Sequence, residues 1–240
     1  MAPPTNPELT PERHTLLPKA LFRYSAVELL VALILLFVTA PLVQSLPGAD
    51  LVEPALATLV MVSAVLVIGA RRRTFITALV LVTPALFGRW GHHFFPEKIS
   101  PFVYLVPATL LFAYVVAHLI RFILRAGVVD TNVLCAGLSG YLLLGYVWTP
   151  IYLAISRWNA AAFTMPPGAP MDAFSALYFS FITLSTVGYG DIAPASRSAR
   201  MLAAMEAIVG LFYVAVLISR LVAIYSTPPP PAEKLPPEPQ

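Results

Sequence analysis

Charged residues are scarce in this chain. Of its 240 residues, 11% are Asp, Glu, Lys or Arg, and 58% are hydrophobic, whereas an ordinary soluble domain is about a quarter charged. A soluble protein of this composition would have too little polar surface to stay dispersed. The composition therefore predicts an integral membrane protein that is surrounded by membrane lipid.

Cysteine and basic clusters are scarce as well, which excludes several classes of protein. The single cysteine, Cys135, allows neither an internal disulfide nor a multi-cysteine metal site. The Lys and Arg residues do not gather with interleaved aromatics, so nucleic acid is not an expected partner. The sequence has no paired carboxylates, nucleophile elbow or metal-ligand cluster, so we expect neither an enzyme nor a cofactor.

Six apolar segments reach or approach the length of about 20 residues that a transmembrane helix needs. Their limits are roughly Leu21–Leu46, Pro54–Ala70, Thr74–Phe87, Pro101–Ile120, Val133–Ile155 and Met201–Tyr225. A seventh stretch, Asp172–Leu184, is too short to cross. We expect it to form a re-entrant helix, which is tolerated at membrane depth where protein or water surrounds it.

The basic residues favour one orientation. If both termini are cytoplasmic, most Lys and Arg lie on the inner side, in agreement with the positive-inside rule. The cluster Arg71–Arg73, between the second and third spans, is the strongest marker. The sequence therefore predicts a multi-pass protein whose termini are cytoplasmic and whose loop after Leu184 lies on the external side.

Residues 186–191, Thr-Val-Gly-Tyr-Gly-Asp, follow the short helix directly. A helix C-terminus carries about half a negative charge, which favours a nearby cation. Gly188 and Gly190 permit backbone angles that would strain other residues, so successive carbonyls can point to the same side. A column of carbonyl oxygens suits a weakly hydrated monovalent cation, and the hydroxyl of Thr186 can add one more oxygen layer.

This motif resembles the selectivity filter of the potassium channel family, which has the same five-residue sequence. Tyr178–Ser185 resemble that family's pore helix, and Ile192–Pro194 also fit its pattern. The resemblance covers about residues 133–225 and implies a homotetramer around one axial pore. It further implies that K+ is the permeant ion and that the filter residues binding it, mainly through backbone carbonyls, are Thr186, Val187, Gly188, Tyr189 and Gly190.

The fold expected on this basis is an all-α integral membrane protein with six transmembrane helices, a re-entrant pore helix and an extended filter loop. Its function would be passive conduction of K+, by analogy in a prokaryotic inner membrane. The expected parts are a cytoplasmic segment 1–19, a four-helix membrane domain 20–126, a pore domain 131–225 and a Pro-rich cytoplasmic tail 226–240.

Glu206 is a candidate for supporting the filter, because an ionisable side chain within a span is a functional candidate by default. It could hydrogen-bond, in protonated form, to Thr183 or Ser180 behind the filter, and we favour this role. It could instead line the cavity and attract cations. Gly210, one turn later, matches a family hinge that lets the inner helix bend, or serves close helix packing.

Asp191 closes the filter motif and is a second candidate for filter support. In certain members of the family a carboxylate at the position of Ile182 pairs with this aspartate. Because this chain has isoleucine there, filter inactivation governed by that pair does not carry over.

The fourth span lacks the regular basic residues of a voltage sensor. Residues 102–114 contain no Lys or Arg, and His118, Arg121 and Arg125 sit at the cytoplasmic end, where we interpret them as anchors. One charge crossing the membrane is worth only about 2.3 kcal/mol per 100 mV, so we expect weak voltage dependence or none. The external pair His92–His93 could sense pH, although such residues are more often solvated at the interface.

Two other transport functions stay open. A non-selective cation channel is possible because selectivity depends on the surroundings of the filter. A potassium transporter subunit is the other alternative, but such chains carry four unequal pore repeats. This chain has a single filter with both glycines in place, which favours the channel.

Overall fold

The computed structural model describes residues 25–43, 51–68 and 72–225. The predicted segment 1–19 and the tail 226–240 lie outside these residues. The described part is mostly helical, and it contains α1 (Ser25–Val43), α2 (Val52–Ile68), α3 (Arg72–Phe94), α4 (Phe102–Arg125), α5 (Thr131–Trp158), β1 (Phe163–Thr164), α6 (Ala173–Leu184), β2 (Ala193–Pro194) and α7 (Arg197–Tyr225).

Four of the described helices, namely α3, α4, α5 and α7, are long and apolar enough to cross a membrane. The apolar parts of α1, α2 and α6 are shorter. These helices support the prediction of a helical integral membrane protein. The total of six spans stays a prediction.

Helix α3 is longer than the sequence indicated. The apolar run suggested a span over Thr74–Phe87, but the helix continues to Phe94, since amphipathic side chains at the membrane–water interface need not end a helix. Arg89 Nη1 donates to the Tyr104 hydroxyl at 3.0 Å, and its guanidinium lies 5.1 Å from the centre of that ring. These contacts join the end of α3 to the start of α4.

One apolar core joins α1, α2, α3 and α4 to α5. Its fully buried members include Leu33, Val60, Ala85, Leu111 and Leu143, one from each helix. The connection between α4 and α5 comprises only residues 126–130. Because each residue extends the chain by at most about 3.6 Å, this short connection keeps the four-helix domain beside its own α5.

A second apolar core surrounds α6. The rings of Tyr152, Phe163 and Phe179 pack edge to face, with centroids 4.9–5.8 Å apart. Beside them, β1 and β2 pair antiparallel, with Phe163 opposite Pro194. No sequence pattern predicted this pairing, because each strand has only two residues. The core and the strand pair hold α6 between α5 and α7.

Small residues on α5 let α7 approach closely. The Tyr213 hydroxyl donates to the Gly137 carbonyl at 2.7 Å, and a Cβ added at Gly140 would overlap that hydroxyl. Such small positions are typical of membrane helix interfaces. The N-terminal half of α5 and the C-terminal half of α7 therefore depend on these glycines for their packing.

Candidate functional site

The helix in front of the filter motif is capped and short. The Asp172 carboxylate accepts from the Ser175 amide at 2.7 Å, which satisfies one of the free amides of the first turn. The 12 residues of α6 give a length of about 18 Å at about 1.5 Å per residue, against a hydrocarbon core of about 30 Å. Since its last residue, Leu184, is buried, α6 ends inside the protein.

The filter motif folds back on the last turn of α6. The Thr186 amide donates to the Thr183 carbonyl at 2.9 Å, and the Gly188 amide donates to the Ile182 carbonyl at 3.1 Å. Residues 185–192 form neither helix nor strand. The motif is thus attached to the pore helix through backbone hydrogen bonds.

Three residues of the motif have a left-handed backbone. The φ angles are +59° at Thr186, +54° at Gly188 and +81° at Gly190. Glycine adopts this region readily, which explains two of the three. For threonine the same region costs about 1–3 kcal/mol, so Thr186 is a strained position where α6 passes into the filter.

The filter residues are open on one side of the subunit. Val187 is 53% exposed and Tyr189 73% exposed, and residues 185–191 are all exposed. One chain therefore presents one exposed filter segment and does not enclose it.

Asp191 has a partner that the sequence reasoning missed. The Tyr178 hydroxyl donates to Asp191 Oδ2 at 2.8 Å, one helical turn before Ile182, which is buried. The signal in the sequence that could have suggested this contact was the tyrosine itself, in the N-terminal half of the pore helix. The Tyr178 hydroxyl thus links the end of the filter motif to α6.

Glu206 lies behind α6 and is fully buried. Its Oε1 is 2.5 Å from Ser180 Oγ, and its Oε2 accepts from the Tyr152 hydroxyl. Of the two hydroxyls considered from the sequence, the structure brings Ser180 to this acid, and Thr183 contacts the filter through its backbone carbonyl instead. Tyr152 was not expected, and it joins α5 to the same cluster.

Gly210 lies directly behind the end of the pore helix. A Cβ added there would overlap the Leu184 carbonyl oxygen and would lie 2.9 Å from Leu184 Cδ1. A backbone carbonyl cannot move aside as a flexible side chain can. Of the two roles considered for Gly210, this geometry favours close packing.

A family of known proteins matches the C-terminal part of the chain. Residues 140–227 match a family described as ion channel. Two pore potassium channel b of Oryza sativa subsp. japonica is 37% identical over 83 residues, which are 35% of this chain and 21% of that protein. Protein LctB of Bacillus caldotenax is 38% identical over 86 residues, which are 34% of this chain and 62% of that protein.

A third relative, two-pore potassium channel 4 of Arabidopsis thaliana, is 40% identical over 53 residues, which are 22% of this chain and 18% of that protein. No solved structure matches the chain. The family match includes most of α5 and all of α6, the filter motif and α7. Family and relatives indicate a channel protein and not an enzyme. Residues 140–227 thus resemble an ion channel domain, and the two plant relatives are potassium channels by name.

Proposed function

We propose that this chain is one subunit of a homotetrameric, potassium-selective channel that conducts K+ passively across a cell membrane. The observation that carries the proposal is the extended Thr186–Gly190 segment, attached to the last turn of a capped and partly buried pore helix. The plant relatives are potassium channels by name, which supports the choice of ion.

The selectivity would come from backbone oxygens. The carbonyls of Thr186, Val187, Gly188 and Tyr189 replace the water shell of K+, as in filters with this sequence. The C-terminal end of α6 adds a partial negative charge beside the inner end of the strand. Gly188 and Gly190 supply the positive φ angles that the strand contains.

The exposed surface of α7 supports assembly into a homotetramer. Large apolar side chains are exposed around this helix, including Met201, Ile208, Leu211, Phe212 and Val222. A pore helix and filter strand that are open on one side need further copies to close a ring. In this arrangement both termini are cytoplasmic and Asp191 lies at the external mouth.

Opening of the channel would depend weakly on voltage. The described α4 has no basic side chain from Phe102 to His118, and Arg121 and Arg125 are exposed at its cytoplasmic end. A conductance–voltage curve with the slope of several gating charges per subunit would contradict this part of the proposal.

The test is ion flux through the purified, reconstituted protein. We expect liposomes containing the protein to pass K+ much faster than Na+, with block by barium. Equal fluxes of the two ions would contradict potassium selectivity and favour a non-selective cation channel. Flux that requires coupled movement of a second ion would favour the transporter subunit.

A further inference from the structure

A buried acid meets hydroxyl groups from two other helices beside the pore helix. Glu206 contacts Ser180 on α6 and Tyr152 on α5. Among the described residues, Tyr141, also on α5, is a further titratable group close enough to interact with Glu206. No basic side chain among the described residues of the subunit acts on Glu206. Arg200, the basic residue of α7 nearest to it in sequence, donates to the Pro194 carbonyl instead. An ionised carboxylate at this place would be a buried charge without a cation, which is strongly unfavourable.

The hydroxyl of Ser180 shows which group carries the proton. Its oxygen lies 2.5 Å from Glu206 Oε1 and 2.9 Å from the Gly145 carbonyl oxygen. A serine hydroxyl has a single proton to donate, and a carbonyl has none. If Glu206 were ionised, one of these two close oxygen–oxygen contacts would have no hydrogen between its atoms.

A proton on Glu206 removes the conflict. Oε1–H then donates to Ser180 Oγ, Ser180 donates to the Gly145 carbonyl, and Tyr152 donates to Oε2. Each contact has one proton, and every donor has an acceptor. The network extends from α7 through α6 to α5.

We propose that Glu206 is a neutral, protonated acid that positions the pore helix, with Tyr152 and Ser180 as its fixed partners. This inference rests on the proposed channel function, because α6 carries the filter. Ser180 lies two residues before Ile182, whose carbonyl accepts from the Gly188 amide. The acid therefore acts on the filter through α6, and not as a charge that attracts cations in the cavity.

The test is the infrared difference spectrum between the wild-type channel and the Glu206→Gln variant, in the same lipid at neutral pH. We expect the substitution to remove the carbonyl stretching band of a protonated carboxylic acid. Loss of carboxylate bands instead would overturn the proposal. In Tyr152→Phe the acid band shifts to higher frequency, because the Oε2 carbonyl loses its hydrogen-bond donor. Glu28→Gln, an exposed acid of α1, is the matched control and leaves the Glu206 band in place.

Flux measurements distinguish a positioning role of Glu206 from an effect of its charge. Glutamine keeps one donor and one acceptor, so Glu206→Gln retains most of the K+ flux, whereas Glu206→Leu loses it. A large loss of flux in the glutamine variant with the acid band absent from the wild type would support the ionised, cation-attracting role. If the wild type shows the acid band but passes no K+, the proposed function fails while the protonation of Glu206 stands.

Discussion

Gly188 and Gly168 have the same backbone requirement at two different places. Their φ angles are +54° and +77°, and a methyl group at either would meet no atom within 4 Å in the subunit. Alanine should therefore add similar backbone strain, roughly 1–2 kcal/mol, at each position. We expect Gly188→Ala to abolish selective K+ flux in liposomes and Gly168→Ala, in the loop before α6, to leave it unchanged.

The pair of variants separates filter chemistry from general strain. Equal losses of flux in both would mean that strain alone weakens the protein. A normal ratio of K+ to Na+ flux in Gly188→Ala would argue that the strand from Thr186 to Gly190 is not the selective element.

Gly210 offers a test of packing against hinge bending. Because a methyl group there would overlap the Leu184 carbonyl, we expect Gly210→Ala to lower the stability of the subunit by about 1–3 kcal/mol, the usual cost of overpacking. Thermal unfolding in detergent, followed by circular dichroism, measures this loss. Gly127→Ala is the control, since a methyl group at Gly127 meets nothing within 4 Å.

The hinge role makes a different prediction for the same variant. An unchanged melting temperature together with an altered open probability in single-channel recordings would support bending at Gly210. A lower melting temperature at unchanged open probability would support packing alone.

At the scale of single residues, the sequence could identify a side chain that is unusual among its neighbours in the chain. It could not identify partners that are distant in the sequence. Glu206 stands out as an acid in an apolar helix, and Asp172 precedes an apolar run. Tyr152 is 54 residues from Glu206, and the rotation of α5 decides which of its side chains faces α7. Tyr178 reaches Asp191 only because the filter folds back along α6.

At the scale of whole elements, the end of the inner helix is joined to the end of α4. Arg220 Nη2 donates to the Ala126 carbonyl at 2.7 Å, where a cation also interacts favourably with the helix C-terminus. The contact links the C-terminal half of α7 to the connection between α4 and α5.

We expect Arg220→Met to loosen the connection formed by residues 126–130. Loss of a hydrogen bond to a charged donor costs about 1.5–3 kcal/mol, so amide hydrogen exchange in this segment should become faster. Mass spectrometry of the reconstituted protein measures the exchange. Arg125→Met, at an exposed position of α4, should leave it unchanged, and equal acceleration in both variants would contradict the role of Arg220.

The existence of most helices could be predicted from apolar length, but their limits could not. Helix α3 continues through Arg89, Trp90 and His93, because interfacial side chains are compatible with a helix although they lower its hydropathy. Similarly, α7 begins at Arg197 and not at Met201, since its first turn lies outside the apolar run. The β1–β2 pair depends on how two loops meet in space. A strand of two residues is too short to show an alternating pattern of apolar and polar residues in the sequence.

At the scale of the whole molecule, the short connection at residues 126–130 decides where the four-helix domain lies. Phe112 on α4 and Tyr146 on α5 have ring centroids 6.1 Å apart within one chain. In the proposed tetramer, each four-helix domain therefore packs against the α5 of its own subunit.

Cross-linking can test this arrangement. In a Cys135→Ser background, the double variant Phe112→Cys, Tyr146→Cys should react with a short bismaleimide to give a monomer in which mass spectrometry of the peptides finds the two new cysteines joined by one linker. Each single-cysteine variant is a control for unspecific linkage. Dimers and larger products would show that the domain packs against a neighbouring subunit.

The single exposed filter segment that each subunit contributes, Thr186–Gly190, also has a genetic consequence. In the proposed homotetramer, every pore contains four copies of the Thr186–Gly190 strand, and all four must be intact for K+ to meet a complete set of oxygens. When a damaged allele such as Gly188→Ala is expressed together with the wild type, random assembly leaves few pores without a faulty copy. Lesions in this strand should therefore be dominant, whereas lesions that prevent a subunit from folding and assembling should be recessive.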